Sequence, residues 1–185
     1  MSEQPENADR SDSTVTLTPL QAEDFERVAG WLSDAAINRW LETSWQGGTF
    51  TDKHIAVLGR TPSSRLFIVH HDGSPAGLAA LSEIDRADAT ANVWYLISPD
   101  QQGKGLATAA VRAVVDKAFN EMGLATLTAW VTAGNEASCR LLERVGFAPA
   151  GILRRGSCLD GERADRGLFD ILPEDFAAAG GEKPG

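Results

Sequence analysis

The sequence has few cysteines and lacks any long apolar segment. Cys139 and Cys158 are the only cysteines in 185 residues, which is too few for the disulfide framework of a small secreted protein. No apolar run approaches the ~18 residues that a transmembrane helix needs. Residues 1–14 are polar and acidic and lack the apolar core of a signal peptide. We therefore expect a cytoplasmic protein that does not associate with a membrane.

Positive charge is also scarce. The chain has 17 Lys and Arg against 26 Asp and Glu, which gives a formal net charge of −9. This balance disfavours sequence-independent binding to nucleic acid or to an anionic membrane, and it favours a cationic substrate through long-range attraction. The three histidines, at positions 54, 70 and 71, have no metal-ligand spacing with other ligand residues, so we expect no metal site.

The composition is that of one globular domain. Apolar residues make up 43% of the chain and charged residues 23%, which is ordinary for such a domain, and 185 residues suffice for a sizeable core. Residues 1–13 have almost nothing to bury, so we expect a disordered tail there. We place the folded domain at residues 14–176 and expect a loose C-terminus over residues 177–185.

Apolar periodicity predicts strands and helices in a mixed order. The predicted strands cover residues 15–17, 66–69, 75–84, 89–97, 125–131, 148–158 and 163–171, and the predicted helices cover residues 22–32, 52–58, 106–122 and 135–145. Strands on both sides of crossover helices, together with antiparallel meanders, give an α/β fold. The expected architecture is a mixed, mostly antiparallel central sheet of about six to seven strands flanked by helices.

The most informative stretch is Gln-Gln-Gly-Lys-Gly-Leu-Ala-Thr at residues 101–108, which follows a predicted strand and opens a predicted helix. The first amides of a helix have no partner within the helix and point outward along its axis, where the helix dipole adds partial positive charge. Glycine lets a ligand approach the backbone without a Cβ in the way. This order of strand, glycine turn and helix start predicts a cradle for phosphate or pyrophosphate.

Two common phosphate motifs do not fit this cradle. A Walker A loop requires a glycine five residues before Gly103 and a Ser or Thr after Lys104, and both are missing. A dinucleotide fingerprint is half matched by Gly103 and Gly105, but Thr108 stands where a third small residue is needed. The two motifs do not exclude a simpler interpretation, in which residues 103–105 only form a tight turn that caps the helix.

A third pattern, Q/R-x-x-G-x-G/A, is matched in register by Gln102, Gly105 and Ala107. A second block follows about 30 residues later, Asn135-Glu136-Ala137-Ser138 and then a Leu-Leu-Glu-Arg-Val-Gly-Phe run at residues 141–147. Together the two blocks resemble the GNAT N-acetyltransferase superfamily, in its RimJ/RimL-like branch. The resemblance covers roughly residues 15–176.

The resemblance implies acetyl-CoA as co-substrate. Pantetheine is expected to lie between the strand before the cradle and the strand after it, as an added strand does, and the pyrophosphate is expected on the cradle amides. The implied cofactor-binding residues are Leu96, Ile97, Ser98, Gln102, Gly103, Lys104, Gly105, Leu106, Ala107, Thr108, Asn135 and Ser138.

The reaction that the resemblance implies is direct transfer of an acetyl group to a primary amine, assisted by a carboxylate base. The chain departs from its relatives at two catalytic positions: Asn92 stands where a Glu is common, and Leu142 stands where a Tyr acid is common. We therefore predict Glu83 as the general base and Ser138 as the group that protonates the leaving thiolate. The only tyrosine, Tyr95, falls on the strand before the cradle.

The sequence does not identify the acceptor amine. The family implies a protein N-terminus, an amino sugar, an antibiotic or another small amine, and it makes a homodimer possible. Trp31, Trp40 and Trp45 could line the acceptor pocket or pack a small pair of helices on the sheet. The missing Glu and Tyr motivate an alternative function, a catalytically weak or inactive GNAT-fold module that binds acyl-CoA as a sensor or partner.

Overall fold

The computed structural model describes residues 15–181, which form one seven-stranded sheet in the order β1-β2-β3-β4-β5-β7-β6. The strands are β1 Val15–Pro19, β2 Arg65–His71, β3 Ser74–Asp85, β4 Thr90–Ile97, β5 Thr126–Thr132, β6 Ala148–Leu159 and β7 Glu162–Ile171. Neighbouring strands are antiparallel except β4 and β5, which run parallel. The predicted mixed, mostly antiparallel α/β sheet is confirmed.

Six α-helices flank the sheet in this part of the chain. They are α1 Phe25–Ser33, α2 Ala35–Asn38, α3 Asp52–Arg60, α4 Leu106–Asp116, α5 Glu136–Val145 and α6 Pro173–Ala178. A short 3-10 turn precedes α1, and a π-helical turn, Lys117–Glu121, extends α4. None of the helices within residues 15–181 combines the length and the apolar character needed to cross a membrane.

The sheet has two covered faces because side chains alternate along each strand. On β4, Val93, Tyr95 and Ile97 pack with the helices α4 and α5. Trp94 and Leu96 pack on the opposite face with the helices α1 to α3. β2, β3 and β4 therefore each contribute to two separate hydrophobic clusters.

The parallel pair β4 and β5 separates after a short contact. Pairing covers only residues 90–92 of β4 against residues 126–128 of β5. Beyond that point β5 continues to Thr132 beside β7, while β4 continues to Ile97 beside β3. The sheet therefore has a gap between residues 93–97 and residues 129–132.

The C-terminal boundary differs from the prediction. Residues 1–13, predicted to be a disordered tail, lie outside the described residues. Residues 177–181, assigned to a loose terminus, are packed: Arg112 on α4 donates to the carbonyl of Ala179 at 2.8 Å, and the Gly181 amide donates to the carbonyl of Phe176 at 2.8 Å. Phe176 is itself buried in the core, so α6 seals that end of the domain.

Candidate active site

The cradle has the backbone that the sequence predicted. Gly103 and Gly105 have φ angles of 80° and 78°, in the left-handed region that glycine enters without a Cβ penalty. Gly105 is the residue before the first turn of α4. Among the described residues, the N–H groups of residues 103–107 have no hydrogen-bond acceptor. These free donors sit at the positive end of an 11-residue helix.

The amide of Thr108, which was included in the predicted set, is not free. It donates to the carbonyl of Gly105 at 3.1 Å as part of the first turn of α4. A Cβ built on Gly103 or Gly105 meets no atom within 4 Å. The space over the cradle is therefore open, and glycine is required here by the backbone angle and not by crowding from the protein.

Two polar side chains of the cradle have partners. Gln102 donates from Nε2 to the carbonyl of Ile97 at 3.1 Å, which ties the cradle to the end of β4. Lys104 donates from Nζ to Oε1 of Gln101 at 2.8 Å, and its side chain is not among the groups that line the cleft described below.

At the end of β4, the main-chain groups of Leu96 and Ser98 are not available for the predicted contacts with pantetheine. Ser98 donates to the carbonyl of Ala76 at 2.8 Å and accepts from the amide of Gln101 at 2.9 Å, so both of its main-chain groups are occupied. Because direction alternates along a strand, Leu96 also turns its main-chain groups toward β3. Ile97 turns its main-chain groups toward the gap, and the Leu96 side chain lines the cleft.

The start of α5 brings Ser138 to the same gap. Asn135 caps α5, and its Oδ1 accepts from the amide of Ser138 at 3.2 Å. The hydroxyl of Ser138 lies 2.6 Å from the hydroxyl of Tyr95 on β4. The sequence did not indicate a role for Tyr95 in the site, because the two residues are 43 positions apart and only the fold brings them together.

Burial changes the acidity of the Tyr95 hydroxyl. It raises the pKa of Tyr95 from 10.0 to about 12, although the hydrogen bond with Ser138 lowers it in part. Tyr95 therefore stays protonated at physiological pH. The pair can offer a hydroxyl proton toward the cleft, since both residues line it.

Glu83 sits at an irregularity of β3. The pairing of β3 with β4 shifts register between Ser82 and Asp85, and Glu83 has a φ angle of 53°. Such bulges re-aim a side chain. Glu83 lines the cleft beside Ser82 and Asn92.

One continuous cleft of about 1040 Å³ connects these parts. Its lining includes the cradle, residues 129–132 of β5 and the start of α5 on one side of the sheet, and α2, the segment after it and Glu83 on the other. The cleft therefore passes through the gap between β4 and β5, so that a ligand on the cradle can reach a second ligand across the sheet.

The three tryptophans at positions 31, 40 and 45 divide between the two predicted roles. Trp40 and Trp45 line the cleft, whereas Trp31 does not. Trp45 also packs edge-to-face against Phe50 and Trp94, with ring centroids 5.5 Å and 6.0 Å apart. Within residues 15–181, no group of three or more His, Cys, Asp or Glu side chains is arranged to hold a metal ion.

Comparison with known proteins gives the same assignment. Residues 14–148 match the family model described as an acetyltransferase (GNAT) domain. The chain is 33% identical to the spermidine N(1)-acetyltransferase of Escherichia coli (strain K12) over 80% of its own length and 81% of that protein. It is 28% identical to the putative ribosomal N-acetyltransferase YdaF of Bacillus subtilis (strain 168), over 88% of its own length and 93% of that protein.

Solved structures show the same fold. The crystal structure of spermidine N-acetyltransferase from Vibrio cholerae in complex with CoA and spermine matches with a TM-score of 0.80 and 22% identity, and the match covers 88% of this chain and 98% of that one. The family model alone covers more than half of the chain. The chain therefore belongs to the GNAT acetyltransferase family, in its RimJ/RimL-like branch, and is an acyl-CoA-dependent N-acetyltransferase.

Proposed function

We propose that the protein transfers an acetyl group from acetyl-CoA to the primary amine of a small molecule. The observation that carries this proposal is the row of free N–H groups at residues 103–107, next to a gap in the sheet. The spermidine N(1)-acetyltransferase relative supports a small amine as acceptor. The other predicted acceptors, which are a protein N-terminus, an amino sugar and an antibiotic, stay predictions, as does a homodimer.

The cradle fits the diphosphate of coenzyme A. It offers several free donors to a charged group, and each such hydrogen bond contributes about 1.5–3 kcal/mol net. Together they suffice for a micromolar affinity, which corresponds to about 8 kcal/mol. In this proposal the pantetheine arm lies along Ile97, whose carbonyl is held in place by Gln102.

Acetyl-CoA, when bound, supplies an activated acyl thioester. Counted from the ammonium form of the acceptor, a C–N bond forms, the C–S bond breaks, the nitrogen loses two protons, the thiol gains one and the other proton passes to solvent. The protein must therefore accept a proton on the acceptor side of the sheet and donate one near the sulfur. The Ile97 amide, which faces the gap, is placed to donate to the acyl oxygen.

Glu83 is the proposed base. An aliphatic amine has a pKa near 10, so it must shed a proton before it attacks, directly to a carboxylate or through water. Glu83 lines the acceptor side of the cleft. Asn92, its neighbour in the lining, has no basic group, so it does not replace the acid that relatives carry on this strand.

Ser138 and Tyr95 are the proposed donors to the leaving sulfur. Their hydroxyl groups are 2.6 Å apart, so when Tyr95 donates to Ser138, the Ser138 proton is free to point into the cleft. The raised pKa of Tyr95, about 12, keeps this pair fully protonated before the reaction.

Two measurements on the full chain test the proposal together. Calorimetry should show micromolar binding of acetyl-CoA, and a thiol-release assay over a panel of primary amines should show turnover that depends on both substrates. Tight binding with no turnover of any amine would contradict the proposed reaction and support the binding module instead. Turnover only with peptides, through their N-terminal amine, would overturn the assignment of a small-molecule acceptor.

A further inference from the structure

The acceptor side of the cleft has an aromatic wall. Trp40, Trp45 and Trp94 line it, and the side chains of Leu41 and Leu66 complete the same surface. Trp45 and Trp94 are fixed by their edge-to-face contact at 6.0 Å, and Trp45, Leu41 and Trp94 pack on the cluster beneath α1 to α3. A ligand that lies along this wall therefore meets mostly apolar surface held in place by the core.

The carboxylates that line the cleft are Glu42, Glu83 and Glu136. Glu42 is neutralised by Arg166, whose Nη1 and Nη2 donate to its two oxygens at 3.2 Å and 3.1 Å. The Arg166 side chain is only 15% exposed, and its guanidinium stacks over the Trp130 ring at 4.0 Å. Such a bidentate, stacked arginine is not displaced by a flexible ammonium group at low cost.

The remaining two carboxylates differ in position. Glu136 pairs with Arg140 at 3.0 Å on α5, beside the groups that form the cofactor half of the cleft. Glu83 makes no ion pair with any residue in the described part of the chain. The acceptor half therefore offers one unpaired carboxylate, and the proposed reaction uses that carboxylate on the attacking amine.

We propose that the acceptor is a monoamine with an apolar, preferably aromatic, body, and not a polyamine. This inference rests on the proposed function, because it concerns the acceptor of the same reaction. A polyamine keeps one or more ammonium groups after its reacting amine is deprotonated, and each needs a counter-charge when it leaves water. An aryl or alkyl body instead buries apolar area against the tryptophans.

The test compares four amines, two of which differ in only one group. Hexylamine and 1,6-diaminohexane have the same chain, and only the second carries a distal ammonium. We expect kcat/KM for hexylamine to exceed that for the diamine by roughly tenfold or more, phenethylamine to exceed both, and spermidine to be the poorest of the four. Equal or higher kcat/KM for the diamine or for spermidine would overturn the inference, whereas no thiol release with any amine would overturn the proposed function.

A charge added to the wall gives an independent check. Trp40→Glu places a carboxylate among the lining residues, and Trp31→Glu makes the same change of net charge on a tryptophan that does not line the cleft. We expect the ratio of kcat/KM for 1,6-diaminohexane to that for hexylamine to rise roughly tenfold in Trp40→Glu and to stay unchanged in Trp31→Glu. An unchanged ratio in both folded variants, with acetyl-CoA affinity retained, would contradict a wall that selects by charge.

Discussion

At the scale of single residues, Glu83 has the most specific assignment. Glu83→Gln removes the carboxylate while keeping its size, and we expect kcat/KM for the amine to fall by roughly 10²-fold or more, the usual contribution of a general base. Acetyl-CoA affinity should not change, because Glu83 lies across the sheet from the cradle. Steady-state kinetics and calorimetry measure the two quantities.

The matched control is Asp85→Asn, two residues further along the same strand. Asp85 is exposed, does not line the cleft, and accepts from the amides of Ala87 and Asp88 through one oxygen that Asn retains. The kcat/KM of Asp85→Asn should stay within about twofold of that of the unmodified protein. Unchanged turnover in Glu83→Gln would remove Glu83 from the mechanism.

The Tyr95 hydroxyl is tested by Tyr95→Phe. Loss of the hydroxyl leaves Ser138 without its partner at 2.6 Å, so kcat should fall roughly tenfold or more, within the range of general acid catalysis. The KM for acetyl-CoA should change by less than about threefold, since the phenyl ring keeps the packing. The double variant with Ser138→Ala should be no slower than the slower single variant, because the two hydroxyls act as one unit. Additive losses would contradict the shared role.

The acidity of Tyr95 can be measured directly because it is the only tyrosine in the chain. Its pKa is raised from 10.0 to about 12 by burial, so at pH 11 roughly a tenth should be ionised in the native protein and about nine tenths after denaturation. Tyrosinate absorbance near 295 nm, with and without denaturant, reports both states.

The raised pKa of Tyr95 also makes the stability of the protein depend on pH. The native state holds the Tyr95 proton more tightly than the unfolded state does, so this contribution to stability is fully present below pH 10 and is lost as pH rises toward 12. A native Tyr95 that ionises near pH 10 would show that its hydroxyl is exposed to water and would contradict the buried pair.

At the scale of elements, helices and strands were predictable where apolar spacing was regular. The predicted strand at residues 163–171 lies within Glu162–Ile171, and the predicted helix at residues 52–58 lies within Asp52–Arg60. The bulge at Glu83 was not predictable, because it follows from the register between β3 and β4 and not from local spacing. The π-helical turn after α4 was not predictable for a different reason, because helical spacing continues through it.

The cradle is tested as an element by Gly105→Val. A β-branched side chain is strained at a φ of 78° and would project into the open space over the free amides, so acetyl-CoA affinity should fall by at least about 100-fold. Calorimetry measures the affinity, and thermal unfolding shows that the variant is folded.

The control for that variant lies at the other end of the same helical segment. Gly123 has a φ of 67° and also has nothing within 4 Å of a built Cβ, so Gly123→Val introduces a similar backbone strain far from the cradle. It should lose similar stability and keep its affinity for acetyl-CoA. Equal losses of affinity in both variants would show that strain, and not the cradle, controls binding.

At the scale of the whole molecule, the site depends on contacts between distant parts of the chain. Glu42, which follows α2, pairs with Arg166 on β7, 124 positions away. Arg39 pairs with Asp160 in the turn between β6 and β7. These contacts hold the hairpin of β6 and β7 against the acceptor wall. No local pattern could reveal them, which is why the sequence predicted individual residues for the cofactor half of the site and left the acceptor half open.

The central claim is that free main-chain amides at the start of α4 hold the diphosphate of coenzyme A at a gap in the sheet. A crystal structure of the protein with coenzyme A tests it most directly. We expect diphosphate oxygens about 2.7–3.2 Å from the amide nitrogens of residues 103–107, with the pantetheine arm between β4 and β5. Coenzyme A bound elsewhere, or a cradle whose amides bond to the protein itself, would contradict the account.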